Sequence, residues 1–268
     1  MATIGRTYCE RERKGERVFE AFLWGALSAS SLLIGAYLVS RFALSDRVIG
    51  LFMGFGAGAL ISAVAFELVA EAHETAERAT TVAFGIAIGA LVFYAGDYMI
   101  ERRSNRRAAA RGESTLTGED AEGGESEGAG AIVLGTVLDG IPESVVIGGS
   151  LVTGGGVSAA MVAAAFLSNM PEAIGATSGL ERSGMSRQRV LGLWLGIVVI
   201  SGLSALVGYR ALEDASPSLG AFLQAFAAGS ILTMLADSMM PEAFKKGGLP
   251  VGLATVIGFS LAFWISMS

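Results

Sequence analysis

Between Ala131 and Thr177 the chain carries two consecutive apolar stretches, each long enough to cross a bilayer as a helix, joined at Gly154-Gly155-Gly156. A polar motif interrupts each near its middle. The first reads Asp139-Gly140-Ile141-Pro142-Glu143, and the second reads Ser168-Asn169-Met170-Pro171-Glu172. Hydrocarbon offers no water to unpaired backbone groups, so a spanning segment must be a helix or part of a closed barrel. A carboxylate held there is costly and marks a functional position. The remainder of the chain must therefore house this pair.

Six further apolar runs supply that housing: about Ala21–Ser40, Val48–Ala70, Thr80–Ile100, Val190–Tyr209, Leu219–Pro241 and Leu249–Met267. With the central pair they predict an all-α polytopic membrane protein of eight spans, one transmembrane domain over residues 1–268. Composition agrees. Charged residues make up 16% of the chain and 37 residues are glycine, whereas soluble domains are about 25% charged and membrane helices favour glycine. The N-terminal tail, which mixes Glu10, Glu12, Glu16 and Glu20 with its basic residues, and the length of the first run do not read as a signal peptide. Cys9, the single cysteine, excludes an internal disulfide scaffold.

Basic residues predict the orientation. Arg41 and Arg47 lie in the first link, and Arg102, Arg103, Arg106, Arg107 and Arg111 in the third. Arg182, Arg187 and Arg189 lie in the fifth link, Lys245 and Lys246 in the seventh. The alternate links hold only Arg78 and Arg210. The positive-inside rule places the first group in the cytoplasm and both termini outside, although Arg6, Arg11, Arg13, Lys14 and Arg17 in the N-terminal tail run against it. The Gly/Ser/Glu-rich segment 102–130 is predicted to be a flexible cytoplasmic loop, because it has too little apolar content to form a core. No basic stripe suggests a nucleic-acid partner.

Gly50, Gly54 and Gly58 form a small-residue stripe suited to close helix packing. An internal repeat is also visible. Laying Gly58-Ala59 over Gly229-Ser230 brings Glu71-Ala72 over Glu242-Ala243. Because these spans run in opposite directions, the pattern predicts an inverted repeat of spans 1–3 and 6–8 around spans 4–5, as in many secondary transporters.

The chemistry follows from spacing. Asp139 and Glu143 are four residues apart, as are Ser168 and Glu172, and such pairs share a helix face. Pro142 and Pro171 deprive the carbonyls of Leu138 and Leu167 of their helical partners. The expected product is an oxygen-rich cavity of Asp139, Glu143, Asn169 and Glu172, with Ser168 beside it. Carboxylates so confined must take up protons or be neutralised by a cation. Oxygen donors suit hard divalent ions, though Zn2+ also accepts carboxylates. Glu67 and Glu71 share a face at the end of the second span, where Glu67 is the deepest of the acidic set. Asp237 and Glu242 lie at the end of the seventh. All four are candidate pathway or gate groups.

These residues resemble the ZIP family of divalent-metal (zinc/iron) transporters, in particular its bacterial zinc-permease-like branch. The resemblance rests on the two Pro-Glu motifs and covers essentially the whole chain. Phe66-Glu67-Leu68, Glu71-Ala72 and Pro241-Glu242-Ala243 also match that family's pattern. It implies a homodimer in the cell membrane and no enzymatic activity. The substrate it implies is Zn2+, with Mn2+, Fe2+ or Cd2+ as further candidates. Asp139 and Ser168 stand where the family commonly has histidines, and Ser201-Gly202 where span six often supplies a Glu-Pro. One principal metal site is therefore expected, with altered selectivity. The alternative is a non-transporting membrane metal sensor or binding protein of the same fold.

Overall fold

The computed structural model describes residues 2–42, 44–110, 127–153 and 156–267. Gly154-Gly155 and the centre of segment 102–130 lie outside them. The described residues form an all-α bundle. The helices are α1 (Ala2–Ala29), α2 (Ser31–Arg41), α3 (Asp46–Ala63), α4 (Ala70–Thr75), α5 (Ala79–Ala110) and α6 (Glu127–Thr153). There follow α7 (Ala159–Arg182), α8 (Arg187–Glu213), α9 (Pro217–Met234), α10 (Met240–Gly247) and α11 (Pro250–Ser266). Two π-helical turns complete the chain, Val64–Val69 between α3 and α4 and Leu235–Met239 between α9 and α10. Among the described residues, 6 helical segments are long and apolar enough to cross a membrane, and the apolar helix α11 is shorter. This is a multi-pass membrane protein.

Three elements differ from the sequence expectation. The first span is divided at Ser30 into α1 and α2. There Ser28, Ser30 and Ser31 donate their hydroxyls to the carbonyls of Gly25, Leu27 and Ser28 at 2.9, 2.6 and 3.2 Å. Such back-bonding competes with the helical ladder and bends it. The third span continues as helix to Ala110, so the start of the expected loop is helical, as an Arg- and Ala-rich sequence favours. Residues 127–130 likewise belong to α6. Finally, each π turn inserts an extra residue into its helix. The register that lays Gly58 over Gly229 also lays Val64, which opens the first π turn, over Leu235, which opens the second.

Close backbone contact at glycines organises the packing. Gly50 meets α10 at Ala243 and Gly247, Gly54 meets Val251, and Gly58 meets the Thr255 carbonyl, so the whole stripe faces α10 and α11. Gly258 returns the contact on the Phe55 carbonyl. The same reciprocity joins α5 to α9, with Gly89 on Phe226 and Gly229 on Ile86, and α6 to α8, with Gly148 on Ala205 and Gly208 on Val145. Without a hydrophobic drive between helices in lipid, such contacts supply the van der Waals gain. The apolar window of the α3–α4 segment is 67% buried against 22% for α5. The α3 and α9 segments thus form the interior, while α5 faces outward.

A second apolar cluster joins α1, α2, α7 and α8 around Trp194, which is fully buried. Its indole N–H donates to the Thr177 hydroxyl at 2.9 Å. Thr177→Val leaves that donor unpaired and is expected to destabilise the protein by about 1–3 kcal/mol, measured as lowered thermal stability in detergent.

Candidate metal centre

Helices α6 and α7 run antiparallel, and each continues through its proline. Two side-chain contacts join them at the polar motifs. The Ser168 hydroxyl reaches Glu143 Oε1 at 3.5 Å while also donating to the Ala165 carbonyl at 3.0 Å. The Thr136 hydroxyl hydrogen-bonds Glu172. Thr136, Asp139 and Glu143 fall at i, i+3 and i+7, so all three lie along one face of α6. Asp139 and Glu143 are both within electrostatic reach of Glu172. Asp139 also faces Asp97 of α5.

Glu143 is the distinctive member. It is 3% exposed, and its Oε2 is buried without a hydrogen-bond partner among the described residues. A buried polar atom left unpaired forfeits its hydration without compensation. Asn169 is buried beside Ser168. From α8, the buried Ser201 hydroxyl lies 3.7 Å from where a Cβ on Gly140 would stand, so span six offers an alcohol at this level. The carbonyl of Leu167, released by Pro171, lies against Gly56 of α3. The close approach of that glycine covers an oxygen that the motif alone suggested would face the cavity.

The four gate candidates divide. Glu67, on the first π turn, accepts from Ser266 of α11 and, with Glu71, lines a cavity of about 200 Å³. Gln224, Ser150 and Ser158 add polar groups to its wall, and Ile141-Pro142 borders it next to Glu143. At the other end of α9, beyond the second π turn, Glu242 pairs with Lys246 at 2.5 Å and lies within electrostatic reach of Glu172. Asp237 is exposed and is not among the cavity-lining residues.

Among the described residues, no three or more His, Cys, Asp or Glu side chains stand close enough together to hold a metal ion. Asp139, Glu143 and Glu172 therefore do not meet at one point, and Ser168, Thr136 and Asn169 supply the neutral polar groups between them. Sequence reasoning missed Thr136, Gln224 and Lys246. Thr136 was legible from its spacing to Asp139 and Glu143. Gln224 and Lys246 carried no such signal, because only the packing of distant helices brings them to the site. No protein-family model and no curated protein matches the chain.

Proposed function

We propose that this protein is a ZIP-like divalent-cation transporter of the cell membrane whose cargo passes the carboxylates of α6 and α7. The observation that carries the reading is the buried Glu143 Oε2, unpartnered among the described residues, beside Ser168, with Asp139 and Glu172 within reach on two proline-bearing helices. A cation supplies what that oxygen lacks. Glu67 and Glu71 at the cavity would collect the ion. Asp139, Glu143, Ser168, Asn169 and Glu172 would hold it once α6 and α7 close on it, since no three of these carboxylates meet in this structure, and Glu242 would stand on its exit. Asp237 belongs to this route only if the second π turn rotates, since its side chain faces outward.

The finer architecture in this reading is eight spans with an inverted repeat. Support comes from the matched positions of the π turns and from the packing partners. α3 lies on α11 as α9 lies on α5, the exchange that a two-fold relation of spans two and seven, three and eight requires. Ser40, Glu181 and Arg187 meet at one end, through Arg187 to the Ser40 carbonyl at 2.9 Å and to Glu181 at 3.5 Å. These residues end span one, end span five and begin span six, all cytoplasmic in the positive-inside reading. Both termini are then outside, segment 102–130 is cytoplasmic, and the working unit is a homodimer in the bilayer.

Proteoliposomes carrying the full chain are expected to take up Zn2+ or Cd2+, with Mn2+ and Fe2+ competing, and Glu172→Ala is expected to abolish uptake. Wild-type uptake no faster than empty liposomes would remove transport, and metal binding without flux would favour the sensor. Equal uptake by Glu172→Ala and wild type would remove the site.

A further inference from the structure

Lys246 occupies an unusual place for a membrane-protein lysine. It sits on α10 with its side chain only 17% exposed, while its partner Glu242 is 46% exposed. Its ammonium lies over Gly175 of α7, 3.1 Å from where a Cβ on that glycine would stand, with Glu242 Oε1 at 3.6 Å from the same point. Gly175 follows Glu172 by three residues, so it lies on the same side of α7. α10 packs against Gly50 at the beginning of α3, whereas the Glu67–Glu71 cavity lies beyond its end. The ammonium therefore stands at the end of the acidic row opposite the cavity.

We propose that Lys246 is a tethered counter-cation that closes this end of the pathway, seated on Gly175 and released only when the Lys246–Glu242 pair swings away. The inference rests on the transport reading and adds a gate and its residue. A fixed ammonium and a divalent ion compete for the same carboxylates, because each neutralises charge that the low-dielectric interior leaves unscreened. While Glu242 holds Lys246, Glu172 remains available to cargo. Without Glu242, the ammonium is left on Gly175, about one turn of α7 from Glu172, and is free to compete for that carboxylate.

The two halves of the pair must then act in opposite directions. Cd2+ binding to the purified full-length protein, followed by calorimetry, is expected to tighten about three- to tenfold in Lys246→Gln. It is expected to weaken by a similar factor in Glu242→Gln and to return towards wild type in the double variant. Lys246→Arg should retain wild-type affinity and uptake. Gly175→Val, which pushes the ammonium off its seat while keeping its charge, should mimic Lys246→Gln and provides the test if that variant does not fold. An ion pair serving stability alone would shift both single variants the same way or neither, and either result overturns the gate. Wild-type protein that binds no Cd2+ removes transport and gate together. Wild-type binding lost in Glu172→Gln, with no effect at Lys246, removes the gate alone.

Discussion

Glu143→Ala is expected to lower the initial rate of divalent-cation uptake in proteoliposomes by at least about a hundredfold. Groups that merely orient a metal ligand are worth about 10–100-fold, and in the proposed site Glu143 is a ligand itself. Glu143→Gln separates chemistry from folding. It keeps the shape and the contact with Ser168, which sits 3.5 Å away, but removes the charge from an oxygen with no partner. Burying a charge without a partner is costly, and a neutral amide of the same shape avoids that cost. Glu143→Gln should accordingly melt at or above the wild-type temperature without metal while transporting as poorly as the alanine variant. Near-normal uptake by Glu143→Gln would show that the carboxylate charge is not what the cargo recognises.

Gly148→Leu is expected to leave little folded protein. A side chain at 148 must enter the space of the Ala205 backbone, and the reciprocal contact of Gly208 on Val145 means that neither helix can yield alone. Overpacking an interior typically costs about 1–3 kcal/mol when side chains can move aside. Here the obstacle is backbone, so the loss should reach or exceed the top of that range. The damage also falls on function, because α6 carries Asp139 and Glu143 and would be pushed off α8. Gly192→Ala on the same helix α8 is the control. Among the described residues nothing lies within 4 Å of its added methyl, and removing an exposed helical glycine should be neutral or gain about 0.5–1 kcal/mol. Size-exclusion profiles and thermal melts of the two variants decide it. Comparable stability in both would mean that the α6–α8 contact is not a constraint.

The sequence by itself determined the membrane class, the helical architecture and the acidic pairs that share a face. Those follow from local rules: the length of apolar runs, the helical repeat and the missing amide of proline. They place Asp139 and Glu143 on one face of α6, and they picked out a glycine stripe whose three members all meet α10 or α11. Tertiary structure decided the partners. That Glu143 Oε2 has none, that Thr136 bonds Glu172, that Gly56 covers the Leu167 carbonyl and that Lys246 rests on Gly175 depend on how helices distant in sequence rotate against one another. The helical period fixes which residues lie together on one helix. The face each helix presents to its neighbours is set by backbone contacts at glycines far along the chain, and no local spacing encodes that choice.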